Sequence, residues 1–377
     1  MEIAVAGHIC LDVIPEWGKS GIEAIKPGQL IEMDGIQFST GGVVANTGLS
    51  LKKLGIDTGL IGKIGNDEIG KITLEVLGEY DKNVSESMII SDEELSSYTI
   101  VLNPPDTDRI FLHYPGTNDT FGVEDINLEK IQEAQIFHFG YPPLMKKMYK
   151  NEGEELVKIY KKTKKKGLIN SLDMAMPDPD SESGKVNWPT YLKKVLPEVD
   201  IFLPSLDEIL YMLEYNDLSQ NMEKLDIDLL NDIGDKLINL GVKILVIKLG
   251  EDGIYLQTGN IREDDLLNNL ISTQDWSEIK YLTPCFKVKA AGTTGAGDAA
   301  IAGFLSEMTA GSHPEKALIT SAGVGAFCVE EIDATAGVVP LEEVHKRINK
   351  GWKQLPVDIN LDGWKYRKEI GLWEKQN

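Results

Sequence analysis

Cysteine is scarce in this chain. The three thiols, Cys10, Cys285 and Cys328, lie far apart and at no metal-ligand spacing, a usage that fits a reducing cytoplasm. Positive charge is also in deficit: 38 Lys and Arg against 60 Asp and Glu leave a net −22 at pH 7. Such a balance argues against nonspecific binding to nucleic acid or to an anionic membrane. Any phosphate must then be held locally, by backbone amides or by a few lysines. No stretch reaches the roughly 18 apolar residues of a membrane span. The opening MEIAVAGHICLDVIP has no basic leader, and its apolar run is too short for a signal peptide. Gly and Pro are not in excess, and there is no internal repeat or long low-complexity linker. The expectation is a soluble, cytoplasmic protein.

What is present is enough apolar material, 42% of 377 residues, for one large core or two modest ones. Apolar runs of strand length (EIAVAG, AQIFHFG, GLINSLD, VDIFLP, VKILVIKLG) alternate with helical patterns such as EGEELVKIYKKTKKK. This rhythm predicts an α/β fold with a mainly parallel sheet covered on both faces. Residues 11–40 break it with short alternating pieces, and SSYTIVLNPPDTDRIFLHYPG reads as a hairpin around a Pro-Pro-Asp turn. Together, 11–40 and 97–114 predict a small separate β-sheet. Gly55 is a plausible stop for the helix after Gly41 and Gly42. Residues 259–281 form an acidic excursion, and the tail 352–377, with Trp352, Trp364 and Trp373, is expected to pack on the domain formed by residues 1–351.

Three glycine motifs compete as phosphate sites. Gly18-Lys19-Ser20 resembles the end of a P-loop, but Val13 stands where that motif needs glycine. GAGDAA at 295–300 matches a loose dinucleotide pattern, yet Asp298 would repel a permanently bound pyrophosphate. A third reading uses every residue. Gly295, Ala296 and Gly297 offer backbone N–H groups at a helix N-terminus, an anion hole for charge that develops in transit. Asp298, in the first turn of the same helix, can take a proton from an attacking hydroxyl.

The stretch GTTGAGDAA is similar to the D-T-x-G-A-G-D signature of the ribokinase-like, or PfkB, carbohydrate kinases. GGVVANTGLSLKKLGIDTGLIGKIGNDEIG resembles their N-terminal run, and VIKLGEDGIYL their nucleotide-site strand and turn, in the same order. The resemblance runs from Gly7 to about Gly337. It implies a three-layer α/β/α fold with a mostly parallel central sheet and a small β-lid over the substrate. It implies ATP and Mg2+, with Asp298 as base and residues 295–297 as the anion hole. Asp12, Gly41, Gly42 and Asn46 match sugar-binding positions; Lys248, Gly250, Gly253 and Thr294 fall at nucleotide positions. Glu208 matches a glutamate that organises magnesium, although Ser205 replaces the family's usual asparagine. Gly292 stands where the family has an aspartate beside a monovalent-cation site, so only weak potassium dependence is expected.

These readings converge on an ATP-dependent kinase for a primary hydroxyl of a sugar. A nucleoside, for which Tyr141 offers stacking, and a sugar phosphate, for which Lys19, Lys26 and Arg109 offer charge, stay open as acceptors. So does a non-catalytic sugar-binding regulator. Tyr98, Arg109, His113, Asn118 and Tyr141 are expected to choose the substrate. The open edges of the lid imply lid-to-lid pairing in a homodimer.

Overall fold

The computed structural model describes the chain with the exception of residues 19–20, 106–108, 216–225, 358 and 377. The strands, numbered along the chain, are β1 (Ile3–Gly7), β2 (Cys10–Glu16), β3 (Gly35–Gly41), β4 (Thr58–Ile61), β5 (Lys63–Gly65), β6 (Ile89–Ser91), β7 (Tyr98–Leu102) and β8 (Ile110–Tyr114). After these come β9 (Ile136–Gly140), β10 (Ile169–Leu172), β11 (Ile201–Phe202), β12 (Ile244–Lys248), β13 (Ile254–Thr258), β14 (Lys280–Thr283), β15 (Trp364–Arg367) and β16 (Leu372–Lys375).

The central sheet has the order β15-β16-β14-β13-β12-β11-β10-β9-β1-β4. From β4 to β12 every pairing is parallel; beyond β12 every pairing is antiparallel. The parallel strands are continuous apolar runs because both faces are covered. Along β1, Ile3 and Val5 face one core while Ala4 and Ala6 face the other, the two-residue period of a strand. The first core packs helices Val43–Leu54, Ala296–Thr309 and Pro314–Cys328; the second packs helices Glu154–Lys165, Trp188–Val195 and Ile227–Asn239. These are the three layers of the fold. Gly55 ends helix Val43–Leu54 in a left-handed conformation, φ 96°, with its N–H bonded back into the last turn.

A separate sheet of order β3-β2-β7-β8 stands outside this body. Strand β2 runs antiparallel to β3 and parallel to β7, and β7 and β8 form an antiparallel hairpin. The register sets Asp12 opposite Ser39 and Thr99, and Thr99 opposite His113, so these polar residues share a face. Val13, Phe38, Ile100 and Leu112 share the other.

In the acidic excursion 259–281, Trp276 is fully buried and meets Phe304 edge-on. The tail enters the central sheet: β16 pairs with β14, β15 pairs with β16, and Trp364 packs beside Tyr255. Trp352 stacks on Phe286 with centroids 4.6 Å apart. No helix among the described residues is long and apolar enough to cross a membrane.

Candidate active site

In an open parallel sheet, ligands gather at the carboxyl ends of the strands. His8 follows β1, Tyr141 follows β9, Asp173 follows β10 and Lys248 ends β12. Into the same region runs helix Ala296–Thr309, entered through Gly295 at φ 76°. Only glycine fits that turn: a Cβ on Gly295 would collide with the carbonyl of Ala334. Among the described residues no side chain caps this helix; the Ala296 N–H turns back to the Thr293 carbonyl, and the amides that follow remain to donate to an anion.

Asp298 lies in the first turn and is 5% exposed. Its Oδ1 accepts from Thr47 Oγ1 at 2.8 Å; its Oδ2 accepts from Tyr141 OH at 2.7 Å and Asn46 Nδ2 at 3.3 Å. Three donors and a helix N-terminus thus hold this buried carboxylate. Burial, then the Asp298 charge, push the Tyr141 phenol well above its ordinary range, so it acts as a donor. Tyr141 occupies the left-handed region, φ 65°, ahead of Pro142 and Pro143.

Beside Asp298, among the described residues, Asn46 Oδ1 and both ring nitrogens of His8 are buried without a hydrogen bond. Burial, with His113 nearby, lowers the His8 imidazole to about 3 and keeps it neutral. Gly42, φ 89°, lets the chain pass against His8, whose carbonyl a Cβ there would strike. A polar chain runs along the inner lid face: His113 Nδ1 and Thr99 Oγ1 are 3.0 Å apart, Thr99 donates to Cys10 Sγ, and Cys10 donates to Asp12 Oδ1. Burial raises the Asp12 carboxyl to about 6, and the hydrogen bonds of Cys10 and Thr99, then the Arg109 charge, pull it partly back. Asp12 borders Gly41, where a Cβ would stand 2.7 Å from Asp12 Oδ2. Arg109 itself donates to Thr294 Oγ1, tying the lid hairpin to the glycine turn. Ser39 makes a second tie through Asp333. Asn118 is spent on structure, bonded to both the N–H and the carbonyl of Ile9.

On the other side of the turn, Lys248 Nζ lies 2.7 Å from Asp173 Oδ1. Burial pushes the Asp173 carboxyl up, and the Lys248 ammonium opposes that shift. For Lys248 burial acts downward, yet Asp173 and Glu208 together hold the ammonium above its ordinary value. Glu208 Oε2 accepts from Ser205 N–H in a capping box at the start of helix Leu206–Met212, and its other oxygen takes no part in that box. Gly250, φ 61°, faces open space, whereas Gly253 is required by the backbone of Thr283 against it. The uncapped amides, the ammonium and the half-used glutamate fit a magnesium-bound triphosphate. Gly292 packs on the backbone of Glu331 and Ile332. Lys26 is exposed, and Lys19 lies outside the described residues.

The geometry joins Asp298, Asn46 and Tyr141 directly, and sets Gly297 beside Lys248, Gly41 beside Asp12 and Thr294 beside Arg109. Sequence reasoning missed Thr47, His8 and Asp173. Asp173 carried a signal: a carboxylate immediately after a buried parallel strand, in SLD.

An uncharacterized sugar kinase of Archaeoglobus fulgidus is 27% identical over 296 residues, covering 77% of this chain and 98% of that relative. A probable fructokinase-5 of Arabidopsis thaliana is 26% identical over 303 residues, 79% of this chain and 80% of its own length. Among solved structures, Arabidopsis thaliana ribokinase complexed with ribose and ATP superposes with a TM-score of 0.70 at 21% identity. That match covers 92% of this chain and 97% of the other, and speaks for the fold. The family model of the pfkB family carbohydrate kinases matches residues 1–340, and this chain therefore belongs to that family of enzymes.

Proposed function

We propose that the protein transfers the γ-phosphoryl group of ATP to a primary hydroxyl of a sugar. The observation that carries this reading is Asp298, a buried carboxylate on the first turn of an uncapped helix. Asp298 takes the proton of the acceptor hydroxyl, and the amides of residues 295–297 receive the charge of the group in transit. Asp12, Gly41, Gly42, Asn46 and Tyr141 hold and orient the sugar; Lys248, Gly250, Gly253 and Thr294 line the nucleotide side. Magnesium, organised through Glu208, would draw charge from the phosphate oxygens. The lid sheet excludes water, which favours transfer over hydrolysis. Gly292 supports weak dependence on potassium.

One observation favours a second acceptor class. Arg109 acts on Asp12 and bonds Thr294, placing a cation at the mouth of the sugar site, where a phosphorylated sugar would meet it. An ATP-consumption screen over free sugars, sugar phosphates and nucleosides tests both. Turnover with none of them returns the weight to a non-catalytic sugar-binding regulator.

The outer lid face supports a homodimer. Ile36, Phe38, Ile110, Leu112 and Tyr114 are all exposed there, opposite the polar face that carries Asp12. A sheet that is apolar on the side turned to water is the mark of a partner, here a second copy of the lid. A reducing cytoplasm suits the three free thiols.

A further inference from the structure

We propose that Lys248 is a catalytic cation for the transferring phosphoryl group, and that Asp173 is a positioning residue that holds the ammonium when no triphosphate is bound. This rests on the phosphotransferase reading above and assigns two residues within it.

The stem of Lys248 lies against the signature turn. A Cβ placed on Gly297 would stand 3.4 Å from its Cδ, 3.6 Å from its Nζ and 3.7 Å from its Cε. The ammonium therefore borders the same residue whose N–H helps form the anion hole. A phosphoryl oxygen seated on that amide is within reach of Nζ by side-chain rotation alone.

A buried ammonium needs a counter-charge at all times. Asp173, 1% exposed, supplies it in the resting state at 2.7 Å. Asp173, Glu208 and Asp298 all act on Lys248, so carboxylates outnumber the ammonium. His138, fully buried nearby with Nδ1 on Ser171 Oγ, stays neutral. Lys248 is thus the mobile positive charge of this centre. In phosphoryl transfer the developing charge spreads over equatorial oxygens, where a strongly hydrated point charge stripped of water acts well. The exchange of Asp173 for the γ-phosphate makes the contact specific to a triphosphate; a diphosphate leaves Lys248 on Asp173.

The test is calorimetric binding of magnesium with ADP, and of magnesium with the non-hydrolysable imido analogue of ATP. For Lys248→Met, affinity for the triphosphate analogue should fall roughly 10–100-fold, the loss of one charge-assisted contact, with ADP within about threefold. For Asp173→Asn the freed ammonium should bind the triphosphate analogue as tightly as wild type or tighter. A purely structural ion pair would weaken both nucleotides in both variants. Because Lys248→Met strands a buried carboxylate, the double variant Lys248→Met/Asp173→Asn is measured beside it and should show the same selective loss. Equal losses for both nucleotides, no loss in Lys248→Met, or weaker triphosphate binding in Asp173→Asn would overturn the assignment. A wild-type protein that binds neither nucleotide would instead overturn the phosphotransferase reading itself.

Discussion

The Tyr141 hydroxyl donates a 2.7 Å hydrogen bond to Oδ2 of Asp298, from a residue 157 positions away in the chain. The end of β9 and the first turn of the signature helix are brought together to make it. The contact fixes one carboxylate oxygen while Thr47 fixes the other. Tyr141→Phe removes a hydrogen bond to a charged group, an interaction of about 1.5–3 kcal/mol. Turnover should fall by about tenfold or more, as read by steady-state kinetics on the best acceptor.

Asp298→Asn keeps the shape of the side chain and, through its one remaining oxygen, only one of the two accepted hydroxyl bonds, and it cannot accept a proton from substrate. A positioned base contributes roughly 10²–10⁴ in rate. The expected outcome is a fall in kcat of that order, with ATP binding retained or slightly improved. Turnover near wild type would reduce Asp298 to a helix cap.

The two glycines of the anion turn should fail differently. Gly295→Ala forces a side chain into φ 76° and against the Ala334 carbonyl, at a cost of about 1–3 kcal/mol. It should lower the melting temperature. Gly297→Val has room in the backbone but crowds Lys248, so it should obstruct the phosphoryl site. Melting curves beside nucleotide affinity separate the two effects.

Asp12 gives a pH prediction. Its carboxyl sits at about 6 when folded and returns to about 3.8 when unfolded. Between those values the native state binds the proton more tightly, so stability falls as pH rises from about 4 to 6 and is level above. Asp12→Asn should therefore melt higher than wild type at pH 7, with the gap closing near pH 4, while sugar affinity drops. Thermal melts across that range check the sign.

The lid prediction has two parts. Sugar binding should slow hydrogen exchange together in strands β2, β3, β7 and β8; protection confined to the C-terminal half would remove the lid assignment. Leu112→Asp, on the outer face, should convert a dimer to a monomer by sedimentation. A wild-type monomer at working concentration would end that inference.

The parallel strands and the signature helix were legible because their patterns are local: a continuous apolar run, a glycine turn, a helix stop at Gly55. Asp298 was legible as a candidate because a glycine turn precedes it and an apolar helix follows. Thr47 and Asp173 were not, since each acquires its meaning from a partner far along the chain. The lid's two faces were hidden for a related reason. Alternation within β2 or β8 says that faces differ, but only register says that Asp12, Thr99 and His113 share one. The antiparallel direction of the strands beyond β12 was not legible because a covered sheet edge reads much like a covered sheet centre, and β15 and β16 belong to a tail whose tryptophans look like surface anchors.

That tail hairpin sets an order of events in synthesis. Strand β14 emerges from the ribosome some ninety residues before β16, the strand that closes its free side, so for that interval the nascent kinase carries an unpaired strand edge. The signature turn is made inside the same interval. The phosphoryl-transfer machinery is therefore complete in sequence before the sheet beside it is sealed, and a chain stopped short of residue 364 would leave that edge exposed to any other strand it met.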